Sequence, residues 1–327
     1  MATRRNFLLA AAGLTGTVAC QRAVQDPDPL PQADLVSDRA ALPVTIAAIP
    51  TRPLGNTGLS LPVLGLGGSA SPLSRPGAEA EAIAIIERSL ELGVRYFDTA
   101  ANYGPSEVRL GKVLPAHREE VIIATKTAAR DRDRAWRQLE QSLTRLGTDY
   151  IDVWQFHALT HDWDIDTILG PGGAILAAQE AQEQGIVKHL GVTGHHNPGI
   201  IAKALTDYPF GTALVPVNAA DVHTPEPFIT GVLPVAQRQG TGVIAMKVPA
   251  YGRLLKDGLL NMEEAMGYAL SQPGVSTCII AADDLAQLEA NVAAANAFAQ
   301  MDEAAIASIE ARTANAWQNS SFFRAWG

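Results

Sequence analysis

Cysteine is nearly absent, with two in 327 residues. Two cannot staple a disulfide-dense secreted scaffold or build a cysteine-rich zinc module. Clustered cations are missing as well. The 25 Lys and Arg are outnumbered by 34 Asp and Glu, a net charge of −9. With no basic run to interrupt that excess, a nucleic-acid partner is not expected, because neutralising phosphates needs grouped cations. No apolar run reaches the roughly 18–20 residues that cross a bilayer, so no transmembrane span is expected. What is present is a 47% hydrophobic content, which excludes wholesale disorder. The length suits one large domain or two ordinary ones.

The start of the chain reads as a processing segment. Thr3-Arg4-Arg5-Asn6-Phe7-Leu8 sets paired arginines before an apolar run from Phe7 to Ala19. A basic start, a short uncharged Ala/Gly-rich stretch and a small-residue exit mark an export signal over residues 1–20. The arginine pair followed by Phe-Leu resembles the twin-arginine type, which implies the twin-arginine export machinery as a partner. The location expected is then exported, periplasmic or membrane-attached, in a bacterium. The alternative is an amphipathic N-terminal helix of a cytoplasmic protein. Cys20 follows Thr17-Val18-Ala19 and resembles a lipoprotein cleavage site, although Thr17 stands where Leu is usual. A lipid anchor at Cys20 and peptidase cleavage near Ala19 both stay open. Residues 21–50 carry Pro27, Pro29, Pro31, Pro43 and Pro50 and read as an extended linker.

The rest is close to the roughly 250 residues of a single (β/α)8 TIM barrel. Arg52–Leu61, with Gly55-Asn56 and Gly58, suits a small hairpin. Eight short apolar runs follow: Val63–Gly67, Val94–Phe97, Val121–Thr125, Ile151–Phe156, Val187–Val192, Ala213–Val217, Gly242–Ala245 and Ser276–Ile280. Most are nearly continuous in apolar residues, as strands buried on both faces should be. Helical patterns cover Ala78–Leu92, Asp133–Leu146, Ala174–Gln184, Pro198–Leu205, Pro227–Gln239, Met262–Ser271 and Asp284–Ala299. The alternation predicts an α/β fold, a closed parallel barrel over 51–300, with a C-terminal helix and tail over 301–327.

In such a barrel the C-terminal ends of the strands line the active site. There the sequence places Asp98 after the second strand, Tyr103 in the loop behind it, Lys126 on the third strand and His157 after the fourth. Each alone has a structural explanation: a helix cap, a packing ring, a solvent-reaching lysine, a satisfied loop histidine. Together they permit proton transfer to a carbonyl. A tyrosine with an ordinary pKa of about 10 is a poor acid, and Lys126 is expected to favour its phenolate. Asp98 would hold the ammonium, and His157 would orient the carbonyl. None of the four carries a hydride, so an organic cofactor is required.

The run GVRYFDTAANYG over Gly93–Gly104, Ser106-Glu107, the strand ending at Lys126 and LGTDYIDVWQFH over Leu146–His157 resemble the aldo-keto reductases, a likeness running from about Arg52 to Asn296. The resemblance implies NAD(P)-dependent reduction of an aldehyde or ketone, or the reverse, on a small-molecule carbonyl or alcohol substrate. It implies Tyr103 as proton donor, tuned by Lys126 and Asp98, with His157 orienting the substrate.

It also implies cofactor positions. Gly67, Gly68 and Ser69 end the first strand near the nicotinamide ribose; their glycine pattern does not open a helix, which excludes a Rossmann reading. Thr193-Gly194 stands where the family usually has a Ser-Asn pair and Leu214 where it has a glutamine, with His195 or Asn218 as the alternatives that would compensate. Met246 occupies the place of an aromatic that stacks on nicotinamide, Lys247 and the Tyr251–Arg253 loop are set to meet the pyrophosphate, and Gln287 and Asn291 fit adenine. No basic cluster follows the eighth strand, and Asp283 stands there instead. A carboxylate accepts from a ribose 2′-hydroxyl and repels a 2′-phosphate, which favours NAD(H) over NADP(H); the alternative is that Asp283 and Asp284 only cap the next helix.

Five of the seven histidines, His157, His161, His195, His196 and His223, are expected near the mouth. No His-x-His pair marks the first strand, so no metal site is expected. The aromatic C-terminus, Trp317, Phe322, Phe323 and Trp326, is expected either to shape the pocket or to pack outside the barrel. A rival function is a cofactor-binding but non-catalytic barrel that serves as a sensor or partner protein.

Overall fold

A computed structural model describes residues 48–325. The expected export signal, Cys20, the linker up to residue 47, and Trp326 lie outside the described residues.

The described chain opens with an antiparallel hairpin, β1 (Thr51–Pro53) and β2 (Ser60–Pro62). Eight strands then close into one barrel: β3 (Leu64–Gly67), β4 (Tyr96–Asp98), β5 (Ile122–Thr127), β6 (Ile151–Phe156), β7 (Val187–Thr193), β8 (Thr212–Pro216), β9 (Gly242–Met246) and β10 (Val275–Ile280). Each pairs in parallel with its sequence neighbours, and β10 returns to β3. This is the expected (β/α)8 barrel, with strand bounds within a few residues of those read from the apolar runs.

The helices are α1 (Glu79–Glu91), α2 (Ser106–Val113), α3 (Arg132–Leu146), α4 (Asp162–Leu169), α5 (Ala174–Glu183), α6 (Pro198–Asp207), α7 (Phe228–Gln239), α8 (Met262–Ser271), α9 (Leu285–Asn296), α10 (Glu303–Thr313) and the short α11 (Trp317–Ser320). Sequence periodicity did not reveal α2 or α4. Each has only eight residues, and α4 buries just Ile165 and Ile168 among its apolar residues. Two turns are too few to show a 3.6-residue period. Local chemistry still explains α4, because the Asp164 carboxylate accepts from the His161 N–H in a capping box.

The barrel interior is filled by side chains two residues apart along the strands, the period that keeps one face inward. Tyr96, Ala124, Val153, Leu214 and Ile244 pack with Leu54 and Leu61 of the hairpin region. The N-terminal hairpin thus plugs one end of the barrel, and the next inward layer lies towards the strand C-termini. The larger apolar core lies between the strands and the surrounding helices.

Helices α2 and α3 meet at Gly111, where a Cβ would stand 2.0 Å from the Arg145 carbonyl oxygen. That neighbour is backbone and cannot swing aside. Gly111→Ala is therefore expected to lower the unfolding free energy by about 1–3 kcal/mol or more, the cost of overpacking. Guanidinium titration checks it, and an unchanged midpoint would show that the two helices separate freely.

Candidate active site

The inward period continues one layer up from the plug. Tyr96, Ala124 and Val153 are followed two residues later by Asp98, Lys126 and Gln155, which places three polar side chains inside the barrel. Lys126 Nζ donates to Asp98 Oδ1 at 2.5 Å and to the Thr99 carbonyl at 2.7 Å. Both charged side chains are only 1% exposed. Gln155 Nε2 donates to the other Asp98 oxygen at 3.2 Å. Gln155 was not anticipated from sequence; the signal is a polar residue at an inward strand position, two residues before His157.

Tyr103 sits in the loop between β4 and α2. Its ring lies 4.9 Å from Lys126 Nζ, and its hydroxyl is 3.4 Å from His157 Nε2. The loop is held from below. Thr99 donates to Ser106 Oγ at 2.8 Å, the buried Glu107 accepts from Thr125 Oγ1 at 2.6 Å, and Arg145 donates to the Ala101 carbonyl at 3.1 Å. His157 is fixed in turn by Arg130, which donates to its carbonyl at 2.9 Å and pairs with Asp164 at 2.7 Å. The four residues expected to carry chemistry are thus brought together.

Their electrostatics follow from burial. Desolvation is the largest influence on Lys126 and works against its charge, but Asp98 and Tyr103 together outweigh it and hold the ammonium above its ordinary pKa. Burial lifts the Tyr103 phenol, while Lys126 and a hydrogen bond from Ser69 pull it back only in part. Lys126 pulls in the expected direction, but the net shift is upward, because the loss of water, with Asp98 adding to it, costs a phenolate more than the cation returns. His157 falls well below the ordinary imidazole value, through burial first and Lys126 next, so it is neutral at physiological pH.

A cleft runs outward from these residues. Asp98 and Tyr103 line its inner end, Gly67, Gly68, Ser69, Leu214, Met246 and Lys247 its middle, and Asp283 and Gln287 its outer end. A Cβ on Gly68 would meet Ser106 Oγ at 2.6 Å and the Asp98 carbonyl at 2.9 Å, so this wall is bare backbone of necessity. Lys247 Nζ donates to Tyr251 Oη at 2.6 Å. Burial and then Lys126 bring the Lys247 pKa down to about 8. Ala70, Ala158, Lys247, Ala250 and Tyr251 all adopt positive φ on loops after barrel strands, a concentration of strain common at functional sites.

Three residues expected at the cofactor do not line the cleft. Thr193 Oγ1 accepts from the Ala158 N–H at 2.8 Å. Asn218 donates to the Lys247 carbonyl at 3.2 Å and accepts from the Ala220 N–H at 3.0 Å. Asn291 is buried within α9. The polar groups of Thr193 and Asn218 thus bond to backbone. Asp284 caps α9 by accepting from the Gln287 N–H, whereas Asp283 makes no cap and pairs with Arg75 at 3.3 Å. The mouth histidines hold the C-terminal segment: His195 Nδ1 donates to the Phe323 carbonyl at 3.0 Å, His196 Nδ1 to the Arg324 carbonyl at 2.5 Å, and His223 Nε2 to the Glu310 carbonyl at 2.9 Å. The tail therefore packs at the mouth, against the loops after β7, β8 and β9, not on the barrel's outer wall.

Residues 63–264 match the model of the aldo/keto reductase family. The chain is 28% identical to L-galactose dehydrogenase of Arabidopsis thaliana over 80% of its own length and 94% of that protein's. It is 30% identical to D-threo-aldose 1-dehydrogenase of a Pseudomonas species over 63% of its length and 70% of the relative's. Among solved structures, the holo form of the aldo-keto reductase AKR11C1 from Bacillus halodurans superposes with a TM-score of 0.69 at 26% identity, covering 81% of this chain and 96% of that one.

Asp98→Asn leaves the Lys126 ammonium buried without its counter-charge. It is expected to cost about 3–5 kcal/mol of stability, and adding Lys126→Met should restore most of that loss. Chemical denaturation of the two variants checks both statements. A double variant no more stable than Asp98→Asn alone would locate the cost elsewhere.

Proposed function

The chain belongs to the aldo-keto reductase family, and from that premise we propose that it interconverts an aldehyde or ketone with its alcohol, using a nicotinamide cofactor and Tyr103 as proton donor. The observation that carries this reading is a half-buried phenol lining the cleft, with a buried ammonium beside its ring and a neutral imidazole beside its hydroxyl.

The cleft fits such a cofactor by its donor set. Leu214, Met246 and Ile279 offer apolar surface to a flat ring, the bare Gly67–Gly68 wall admits a close approach, Lys247 offers a cation to a pyrophosphate, and Gln287 and Asp283 offer polar groups to an adenosine. A bound nicotinamide supplies or accepts hydride. The protein's own work is proton management. Burial keeps the Tyr103 proton in place at rest. When the phenol gives that proton to a carbonyl oxygen, the negative charge left behind forms beside Lys126, which Asp98 keeps charged. The ammonium thus interacts more strongly with the transition state than with the resting phenol, which is the condition for catalysis. Neutral His157 has an N–H to orient the carbonyl oxygen without competing as an acid.

Asp283 in the cleft favours NAD(H) over NADP(H) in this reading. Two relatives are named as dehydrogenases of aldoses, so aldose oxidation belongs in a substrate screen beside carbonyl reduction. The N-terminal arginine pair extends the proposal to an exported protein, for which a pathway that carries folded proteins would bring a cofactor already bound.

Tyr103→Phe separates the enzyme from a cofactor-binding sensor. Turnover of a carbonyl substrate should fall by about 10²–10⁴-fold with cofactor affinity unchanged. A variant as active as the wild type would remove Tyr103 from the chemistry. A second expectation concerns pH. Lys247 is charged below about 8 and neutral above it, so NADH should bind evenly from pH 6 to 7.5 and more weakly as pH rises through 8. Lys247→Met should flatten that profile. Titration calorimetry reads both, and an inflection that persists in the variant would assign it to another group.

A further inference from the structure

Arg75 and Asp283 meet at the outer end of the cleft, with Arg75 Nη2 3.3 Å from Asp283 Oδ1. Their side chains are 54% and 61% exposed. An exposed pair of this kind contributes little to stability, so fold stability gives no reason for the effort spent in placing it. That effort is considerable. Arg109, 3% exposed, points Nη1 into the loop after β3, donating to the carbonyls of Pro72, Leu73 and Arg75, the last two at 3.1 and 2.8 Å. A buried guanidinium on α2 therefore shapes the loop that delivers Arg75. On the other side, Gln287 Oε1 accepts from the Asp283 N–H at 2.5 Å. Capping of α9 is left to Asp284. Asp283, alone of the two adjacent aspartates, lines the cleft.

We infer that Arg75 and Asp283 together select the adenosine ribose of the cofactor. This rests on the nicotinamide reading above and adds a residue to it, from a loop some two hundred positions away in sequence. Arg75 steadies the Asp283 carboxylate as an acceptor for a 2′-hydroxyl. A 2′-phosphate would have to displace that carboxylate from the guanidinium and then lie beside it, so it is rejected. The same geometry makes Arg75 a latent phosphate clamp: it is the cation that the segment after the eighth strand lacks, and Asp283 occupies it.

The consequence is a non-additive pair of substitutions. The test is calorimetric titration of the full chain with NADH and with NADPH, for the wild type, Arg75→Ala, Asp283→Ala and the double variant. The wild type should bind NADH more tightly. Asp283→Ala should weaken NADH and tighten NADPH, each about tenfold, the scale of one charge-assisted bond. In the double variant the gain for NADPH should disappear, because the cation that produced it is gone. Arg75→Ala alone should weaken NADH a few-fold and leave NADPH weak. Thermal unfolding should be unchanged throughout, since both side chains are exposed.

Wild-type binding that Asp283→Ala leaves unaltered overturns the selector while the cofactor reading stands. A double variant that keeps the NADPH gain removes Arg75 from it. Tighter NADPH than NADH in the wild type makes Arg75 an active phosphate clamp and reverses the inference. No binding of either cofactor to the wild type overturns the nicotinamide reading and the selector with it.

Discussion

A lysine ammonium that is 1% exposed inside a barrel sets the terms for everything around it. Removing it from water carries a penalty of several kcal/mol, and only a close, well-bonded counter-charge offsets that. Asp98 supplies the charge, and Gln155 and the Thr99 carbonyl complete the bonding. The barrel supplies the rigidity, because all three side chains come from adjacent strands whose register is fixed by parallel pairing. The hairpin plug beneath them matters for the same reason. Leu54 and Leu61 seal the layer under the pair, which keeps the local dielectric low. A low dielectric strengthens what Lys126 does to a charge forming on Tyr103 and equally raises the cost of losing Asp98.

That one constraint also explains why a chemically capable tyrosine is inert at rest. Burial is the larger influence on the phenol and Lys126 the smaller. The site holds a neutral phenol that, in the proposed reading, ionises only when a receptor for the proton is in place. His157 follows the same rule. Its neutrality comes from burial first and neighbouring cations second, so a single desolvated pocket sets the protonation state of both groups.

The parts of this arrangement that were legible in sequence are those carried by local pattern. Near-continuous apolar runs announced the barrel strands, and position at a strand end announced Asp98, Tyr103, Lys126 and His157. Helices α2 and α4 were hidden by their length, and Gln155 by an inward position that only the register reveals. Thr193 and Asn218 stand off the cleft for one reason: a polar side chain near a site can spend its hydrogen bonds on backbone groups, and sequence does not say which. Asn218 still serves the cleft at one remove, by holding the Lys247 carbonyl. Arg75 was invisible because its partner is distant in sequence and its placement depends on Arg109, an arginine that looks like surface charge until it is found buried.

The cations along the cleft show how an acidic chain makes room for an anion. The protein carries a net charge of −9, yet Lys247 lines the cleft, Lys126 stands beside the Tyr103 ring that lines it, and Arg75 pairs with Asp283 on its wall. Each is matched differently. Lys126 has a buried carboxylate, Arg75 an exposed one, and Lys247 a phenol, which offers a hydrogen bond but no charge. At Lys247, burial first and the neighbouring Lys126 second bring the pKa down to about 8. A negative group arriving beside it relieves both penalties at once, since it restores solvation to the ammonium and screens it from Lys126. That relief would hold an anion at Lys247 and fix the position of whatever extends from it.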